Sequence, residues 1–579
     1  MATLTITHRS TGSGAAGVAD RLRSLVRLPL TWLCVATAAP VLVAAVREIA
    51  IGWIPEGDDA MLATRIRDVL TGHPPLQGMR STSNFFDAQL SNHHPGPLEF
   101  YLDAPIAAVT GYSGAGIVTA AALLNVACIV GAVVMAHRMR QMRTALPVAG
   151  AVLLAQWQLG PDVLARPLNP SAGTLPILLM LIGAWAVFDR DPHGLWVTLI
   201  AGSFAAQTEF AFCPVVLIVT ASACLVAWTR AWHDTRRWRA ARSRSPRPTG
   251  RKRQYLTLGM IALAWLPSIV ELFVIHPNNG QLALRLLTNS THGRGTSTGV
   301  PGGFGYMVGR LSPTELGRFD AGIERAPSGM AIGIGMVVLL LLLLAAAAGP
   351  RLPRTAGSRG SWLLLLAIAG EAIALSAKPE SVSAMFWLLP VLVVTPVVDA
   401  VLILRTVEVS RARHWHLGAA RHTELIKRAS SPLAGVAALI VAATMASALA
   451  RPPSAEASDR ARAVSDTVAT YLREHSSSGT AVRISSYGLQ SWISLAPAVA
   501  FQLARNGHDA HYLGSWPYPE DNSSWYAATA PRDAVVVTLA DEGSVKDAHP
   551  PASAIQVPLS AAAASGIHLW IAIPAADRK

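Results

Sequence analysis

An acid pair follows the first long apolar segment of the chain, in the stretch EGDDAMLATRIRDVL from Glu56 to Leu70. Asp58 and Asp59 stand at the start of an amphipathic pattern whose apolar face includes Leu62 and Ile66. A helix dipole stabilises an ionised carboxylate at this end of a helix, although one of the acids could instead cap it. We predict that Asp58 and Asp59 are catalytic, on a helix that rests in the bilayer interface.

A histidine turn comes next, in the stretch NHHPGPLEFY from Asn92 to Tyr101. Its two prolines restrict the backbone, so His93 and His94 project from a rigid corner. The pair could bind a phosphate, ligate a metal or cap the following helix, which carries Glu99. We predict that this segment, including Glu99 and Tyr101, contacts substrate.

Two further acids lie near the ends of apolar segments. Glu209 stands at a short break between two such segments, and Glu271 lies one turn from the end of another. Ionisable side chains at these depths are costly and usually face a cavity or a partner, the alternative being an acid that snorkels to the interface. We predict substrate contacts for both, and we assign no catalytic role to the deeper Glu371.

The elements that position these residues belong to a membrane protein. Of the 579 residues 51% are apolar and 14% are charged, and the mean hydropathy is +0.38, which is too apolar for a soluble chain. A helix needs about 20 residues to cross the roughly 30 Å of hydrocarbon. Eleven segments are candidates: residues 28–51, 115–136, 145–159, 172–188, 195–206, 210–228, 255–275, 330–348, 361–377, 385–404 and 432–449.

Basic loops orient the chain, because Lys and Arg near membrane ends tend to stay in the cytoplasm. With eleven spans the N-terminal tail 1–27 and the basic loop 229–254 lie in the cytoplasm. The loops 52–114 and 276–328 are then exported from a multi-pass plasma membrane protein with membrane domain 28–451. These topology determinants also explain the net charge of +13, so we reject nucleic acid as a partner.

The composition changes near residue 452, and residues 452–579 are enough for one small exported domain. Val464, Val468, Tyr471 and Leu472 follow a helical period, and a second helix over 489–505 ends at an Asn-Gly pair. Strands are predicted over 481–485, 534–539 and 567–573. We therefore predict an α-helical polytopic membrane protein with a small C-terminal α/β domain.

Aromatic side chains are dense in the stretch HYLGSWPYPEDNSSWY of this domain. Trp516, Tyr518 and Trp525 could stack on the sugar rings of an acceptor. They could equally pack on the membrane domain or lie in the interfacial belt.

A glycine-rich stretch, RGTSTGVPGGFGYMVGR, runs from Arg294 to Arg310 in the second exported loop. It lacks the Lys and Ser or Thr that end a nucleotide-binding P-loop. We predict that it is a mobile lid.

The order of these motifs resembles a family of actinobacterial membrane proteins in the GT-C glycosyltransferase superfamily. The matching stretches are GDDA, HHPGPLEFY, SFAAQTEFAF from Ser203 to Phe212 and WLPSIVELFVIHPNNGQL from Trp265 to Leu282, in roughly the first half of the chain. Glu209 stands where the family usually has His, and Leu272 follows Glu271 where the family has Gln. These departures affect the identity of the donor sugar more than the reaction type.

The resemblance implies transfer of a sugar from a polyprenyl-phosphate donor to a glycan, lipid or protein acceptor of the cell envelope. Transfer would occur on the exported face of the lipid bilayer, with inversion at the anomeric carbon. Asp58 matches the first-loop acid of the family and inherits the role of general base. A pentose such as arabinose or a hexose such as mannose would suit the resemblance as the donor sugar.

Such a reaction needs positive charge or hydrogen-bond donors to meet the departing phosphate. The candidates on the exported side are Arg80, His93, His94, Arg166 and Lys378. Mg²⁺ or Mn²⁺ could share this task through Asp58 and Asp59, because carboxylate oxygens suit both ions. Nothing in the sequence requires a metal.

Two other classes of function stay open. A lipid-linked sugar transporter or flippase would show charged residues near the membrane midplane and internal repeats. A non-catalytic partner in cell-envelope assembly would tolerate the substitution Asp58→Asn.

Overall fold

The computed structural model describes residues 29–81, 92–169, 171–240, 251–288, 297–317, 326–347, 355–378, 386–414, 438–450, 452, 454–476, 479–512, 530–559 and 564–575. Within these ranges the chain forms a helical membrane domain followed by a small α/β domain. Trp516, Tyr518 and Trp525 lie outside the described residues, as does the N-terminal tail.

Helices account for nearly all of the membrane domain. They are α1 (Pro29–Ala50), α2 (Gly57–Asp68), α3 (Leu98–Val109), α4 (Gly114–Arg140), α5 (Met142–Leu159), α6 (Pro161–Leu164), α7 (Thr174–Phe188), α8 (Gly194–Thr208), α9 (Cys213–Ala240), α10 (Arg251–Val274), α11 (Asn279–Thr288), α12 (Gly299–Arg310), α13 (Gly329–Ala346), α14 (Ala356–Ala377), α15 (Leu389–His414) and α16 (438–449). A 3-10 turn, Phe210–Phe212, joins α8 to α9.

Eight helices in the described part of the chain are long and apolar enough to cross a membrane, namely α1, α4, α7, α9, α10, α13, α14 and α15. Helices also occupy the other three predicted spans, as α5, α8 and α16. However, α8 has only 15 residues, which rise about 22 Å and fall short of a full crossing. It stops at Glu209, whose backbone is extended.

The polar segments lie at two opposite ends of the membrane domain. Helix α9 runs between these ends, from Cys213 next to the His94–Glu209 contact to Arg230, which donates to the end of α7. One end, which we call the site end, carries α2, α3 and the histidine turn. The other, which we call the basic end, holds Arg138, Asp189, Arg230 and Arg359, which are connected across α4, α7, α9 and α14. The predicted basic loops are thus separated from the acid pair by the length of the helices.

The glycine-rich stretch is helical over Gly299–Arg310, and its role as a lid stays a prediction. Its glycines lie where other parts of the chain approach closely. A Cβ atom on Gly303 would come within 2.4 Å of Ser376, and one on Gly309 would come within 2.3 Å of Pro327. The small residues therefore allow α12 to pack against α14 and the start of α13.

The C-terminal domain is a five-stranded sheet covered by two helices, α17 (Ser454–His475) and α18 (Ala496–Arg505). The strands are β1 (Ala481–Tyr487), β2 (Asp509–Tyr512), β3 (Val535–Asp541), β4 (Ile555–Val557) and β5 (Ile567–Ala572), in the spatial order β2-β1-β3-β5-β4. β1 is parallel to β2 and β3, whereas β5 is antiparallel to β3 and β4.

One face of this sheet forms a core with the two helices. Ile484 pairs with Val537, which pairs with Ile571, and all three are buried. Val464 and Val468 of α17 are buried against them. The predicted helices and the three predicted strands are present, while β2 and β4 have only four and three residues, too few for an alternating pattern to stand out.

Candidate functional site

The catalytic candidates lie in the first turn of α2, and a glycine sets their position. Gly57 has a φ of +52°, which favours glycine. A Cβ atom there would also lie 3.0 Å from the carbonyl oxygen of Ile493 in the C-terminal domain. The N-cap residue is Glu56, so neither Asp58 nor Asp59 occupies the capping position.

Most of the helix is buried by other parts of the chain, with Asp58 in its first turn left exposed, so it does not rest in the bilayer interface as predicted. Leu62 and Ile66 on its apolar face are fully buried, and so are Thr64 and Asp68 on the opposite side. The reason is that α18 of the C-terminal domain packs over α2 while α3 packs beside it. The apolar face of α2 is therefore buried against α3 and the C-terminal domain.

Asp58 is exposed to solvent and yet flanked by protein. The surrounding protein displaces water from its carboxylate and raises the pKa of Asp58 above its usual value. This effect outweighs the helix dipole, which alone would lower the pKa. A solvent-accessible carboxylate with a raised pKa is a stronger base that can still reach an incoming hydroxyl.

Asp59 points into the protein, where it pairs with a cation. Its Oδ2 lies 3.3 Å from Nη1 of Arg166, while Oδ1 has no hydrogen-bond partner among the described residues. Burial raises the pKa of Asp59 to about 7; the Arg166 charge opposes this shift, and the acids Asp58, Glu56 and Glu48 add to it. Asp59 therefore exchanges its proton near neutral pH.

The histidine turn is held by a short antiparallel ladder to the segment before it. Arg80 forms a bridge with His93, and the His94 amide donates to the Met79 carbonyl oxygen at 2.7 Å. Arg80 and the two histidines are thus brought together, and their contact with substrate stays a prediction. Arg80 also reaches the C-terminal domain, since its charge acts on the hydroxyl of Tyr512.

A second connection ties the histidine turn to the end of α10. The Asn279 side chain accepts from the His93 amide at 2.8 Å and donates to the His93 carbonyl at 2.9 Å. Glu271 is buried and accepts from the Gln77 side chain at 2.9 Å and from the Asn279 amide at 2.6 Å. Glu271 therefore joins three segments through hydrogen bonds and holds the turn in place.

A third connection joins the turn to the break after α8. The Gly96 amide donates to the Gln207 carbonyl, and Gln207 Oε1 accepts from the Leu98 amide, both at 3.2 Å. A Cβ atom on Gly96 would lie 2.2 Å from Gln207 Oε1, so only glycine fits. The HPGP and QTE motifs, far apart in the sequence, are in direct contact.

His94 and Glu209 complete this contact. His94 Nε2 lies 3.4 Å from Glu209 Oε2, and His94 Nδ1 faces the Phe210 amide at 3.4 Å. Burial, reinforced by the neighbouring His93, lowers the pKa of His94 to about 3. Burial also raises the pKa of Glu209 to about 8, against the amides of Ala211 and Phe210. Both groups are therefore neutral at pH 7.

The helix after the turn carries further buried acids. Glu99 is buried, its Oε1 has no hydrogen-bond partner among the described residues, and burial with the nearby Asp103 and Asp59 raises its pKa well above the usual value. Burial raises the pKa of Asp103 to about 7. Tyr101 instead donates to the Pro75 carbonyl at 3.1 Å, which gives it a structural contact.

Lys378 lies at the end of α14, at the same end of the membrane domain. Its side chain is buried, and its carbonyl accepts from the amide and hydroxyl of Thr298 at 2.9 and 3.0 Å. These contacts belong to the junction of α12 and α14. They do not place Lys378 in the network that holds the histidine turn.

The metal hypothesis does not fit the acid pair. Consecutive side chains leave a helix about 100° apart, and here Asp58 faces solvent while Asp59 faces Arg166. In the part of the chain that the structure describes, no three His, Cys, Asp or Glu side chains are placed to hold a metal ion.

The C-terminal domain contacts α1 and the segment that leads into α2. Both carboxylate oxygens of Glu48 accept from the Ser454 hydroxyl, at 2.9 and 2.7 Å. Glu56 accepts from Ser494, and the Ile54 amide donates to Ser458 at 3.2 Å. These contacts could not be predicted from the sequence, because a serine on a solvated helix face does not differ in residue type from a serine at an interface.

Comparison with known proteins gives a match at the level of structure. No family model matches this chain, and no curated protein does. ArnT from Cupriavidus metallidurans bound to undecaprenyl phosphate superposes with a TM-score of 0.55 and 13% identity, over 94% of this chain and 98% of ArnT. Its apo state gives 0.53 and 12%, over 93% and 97%. The chain has the fold of ArnT.

This likeness confirms the predicted fold class, a GT-C-like helical membrane protein with a small C-terminal α/β region. The oligosaccharyltransferase AglB from Archaeoglobus fulgidus gives a TM-score of 0.38 at 12% identity, over 87% of this chain and 69% of AglB.

Proposed function

We propose that this protein is a membrane glycosyltransferase that moves a sugar from a polyprenyl-phosphate donor to a hydroxyl acceptor, with inversion. The observation that carries the proposal is that the four motifs lie at one end of the membrane domain. HHPGP is in contact with QTE and with the Glu271–Asn279 segment. Asp59 of GDDA lies close enough to Glu99, in the helix after HHPGP, for their charges to interact, and the adjacent Asp58 is exposed to solvent. ArnT, which shares the fold, has been crystallised with undecaprenyl phosphate, and this supports a lipid-linked donor.

In the proposed reaction Asp58 is the general base. The acceptor hydroxyl attacks the anomeric carbon while Asp58 removes its proton, and the bond from that carbon to the phosphate oxygen breaks. The electron pair leaves with the polyprenyl phosphate, a good leaving group that needs no strong acid. Arg166 pairs with Asp59 and Arg80 bridges to His93, and in this proposal the two arginines stabilise the departing phosphate.

The remaining motif residues act as positioning residues in this proposal. Asn279, Gln207 and Glu271 hold the backbone of the histidine turn through hydrogen bonds. The His94–Glu209 contact links the turn to the break after α8. Because His94 and Glu209 are both neutral at pH 7, their contact shapes the site without adding charge to it.

The test is a transfer assay with the purified protein in detergent. Radiolabelled polyprenyl-phosphate arabinose and mannose are supplied with cell-envelope extracts as acceptors, and labelled product is counted for wild type, Asp58→Asn and the matched control Asp466→Asn. Asp466 is exposed on α17, so we expect full activity for the control and a loss of about 10²- to 10⁴-fold for Asp58→Asn. Equal turnover by all three proteins would remove Asp58 from the mechanism.

A lipid-linked sugar transporter is the second candidate, and one observation favours it. Glu371 lies within the spanning helix α14, is fully buried, and has no hydrogen-bond partner for either carboxylate oxygen among the described residues. Ionisable groups at such depths often mark transport pathways. A protein that moves labelled lipid across vesicle membranes but yields no transfer product would be a transporter.

A further inference from the structure

We infer that the basic end of the membrane domain contains a binding site for the phosphate headgroup of an anionic phospholipid. This site lies at the opposite end of the helices from the acid pair and is independent of the proposed reaction. It is built around the turn between α7 and α8, whose sequence is FDRDPHG from Phe188 to Gly194. Arginines from α4, α9 and α14 converge on this turn.

Ion pairs and backbone contacts fix the arginines nearest to the turn. Arg138 donates to both carboxylate oxygens of Asp191, at 3.0 and 3.4 Å. Asp189 is shared by Arg140 and Arg359. Arg230 donates to the carbonyl oxygens at the end of α7. The arginines are therefore part of a folded cluster and not merely flanking charges.

The cluster carries more positive charge than its acids neutralise. Its described members are six arginines and three aspartates: Arg138, Arg140, Arg190, Arg230, Arg236 and Arg359 with Asp189, Asp191 and Asp234. Arg190 and Arg359 lie close enough to Arg230 for their charges to repel it. Such crowding costs free energy in the protein alone, and a bound anion would relieve it.

Aromatic residues place this cluster at the depth of lipid headgroups. Trp228 and Trp232 on α9 are 63% and 49% exposed, and they flank Arg230 in the sequence. Arg236 lies 4.9 Å from the centre of the Trp232 ring. Exposed tryptophans at the end of a spanning helix are typical of the membrane interface, so the surplus arginines face the phosphate layer of the lipid.

Arginine suits this ligand because its planar guanidinium makes two parallel hydrogen bonds to a phosphate. Arg190 and Arg236 are the members best placed to provide them. Both are exposed, and neither forms an ion pair in the contacts above. Replacing them therefore leaves the pairs of Asp189 and Asp191 intact, so the variants should fold.

The test measures the melting temperature of the purified protein in detergent as phosphatidylglycerol is titrated into the micelles. Phosphatidylcholine and inorganic phosphate are titrated in parallel. The proteins are wild type, Arg190→Gln, Arg190→Gln/Arg236→Gln and the control Arg473→Gln, an exposed arginine in the C-terminal domain. We expect apparent affinity for phosphatidylglycerol to fall about fivefold for one substitution and about 25-fold for two, with no change in the control.

The site would be supported if stabilisation by phosphatidylglycerol weakens from wild type to the single variant to the double variant while phosphatidylcholine has no effect. An equal response of wild type and the double variant would overturn it. So would equal stabilisation by phosphatidylcholine, which would indicate a general lipid effect. A matching response to inorganic phosphate at the same concentration would show that the lipid is not the ligand.

Discussion

Replacing Arg166 by Gln should destabilise the protein to an extent that depends on pH. Arg166 lies 3.3 Å from Asp59, which is buried. Even with this cation beside it, burial holds the pKa of Asp59 at about 7. Removing the cation would raise the pKa of Asp59 further, because nothing else described near it stabilises the carboxylate form.

The sign of the effect follows from proton binding. Asp59 has a higher pKa in the folded protein than the value of about 3.9 in an unfolded chain, so the folded state binds more protons and loses stability as the pH rises. In the wild type this loss ends near pH 7, where Asp59 ionises. In Arg166→Gln it continues to higher pH, by about 1.4 kcal/mol per pH unit.

At pH 6 Asp59 is largely protonated in both proteins, and we expect a loss of roughly 1 kcal/mol from the missing hydrogen bond. At pH 8.5 the expected loss is roughly 3 kcal/mol, since one and a half further pH units act on the variant alone. The assay is thermal unfolding in detergent at both pH values. Wild type, Arg166→Gln, Asp59→Asn and the double variant are compared, with Arg473→Gln as the control.

In the double variant the extra loss at high pH should vanish, because no buried carboxylate remains to ionise. An equal loss of stability at pH 6 and pH 8.5 in Arg166→Gln would contradict this role of Asp59. So would effects of the two single substitutions that simply add, which would mean that the two side chains do not interact.

Three further outcomes are expected. Gly57→Ala should lower the free energy of unfolding by about 1 to 2 kcal/mol because of the left-handed backbone alone, and by more because Ile493 approaches closely. The control Gly72→Ala, whose Cβ meets nothing within 4 Å, should be nearly neutral in the same thermal unfolding assay. The stability of Glu209→Gln relative to wild type should increase as the pH rises from about 4.3 to about 8 and stay constant above pH 8. The reason is that the folded protein keeps Glu209 protonated up to a pKa of about 8, whereas the unfolded chain ionises near about 4.3 and glutamine cannot ionise. A difference that does not change between pH 5 and pH 8 would contradict this. Transfer activity should increase with pH along a limb set by the raised pKa of Asp58, and an activity independent of pH between 4 and 8 would argue against Asp58 as the base.

The sequence predicted most of the architecture, because long apolar runs and short alternating strands reflect local physics. The spanning helices and the strands β1, β3 and β5 lie where those patterns placed them. The surroundings of α2 could not be predicted from such local patterns. An apolar stripe specifies that a face is buried, but it does not distinguish lipid from a covering domain.

The structure places several of the proposed site residues next to one another, among them Arg80, His94 and Glu209. Their contact with substrate stays a prediction. Glu271 was expected to contact substrate, yet its carboxylate accepts two hydrogen bonds from Gln77 and Asn279. A polar residue near a membrane surface looks the same in the sequence whether it binds a ligand or its own backbone.

The C-terminal sheet bears on where the phosphate of the proposed donor would bind. In many doubly wound domains a phosphate binds at the turn after the first strand, against the start of the following helix. Here the Asp541 carboxylate fills that position and accepts from the amides of Gln490 and Ser491 and from the Ser491 hydroxyl, at 2.7 to 2.9 Å.

The turn leaves no room for a second anion. Gly488, with a φ of +92°, approaches Asp541 so closely that a Cβ atom would lie 2.4 Å from Oδ2. A phosphate would have to displace a carboxylate that already makes three hydrogen bonds, and it would be repelled by that charge. The Asp541 contacts therefore hold this turn in place and do not form a phosphate site. We expect Arg80 and Arg166 at the site end to contact the phosphate of the proposed donor instead.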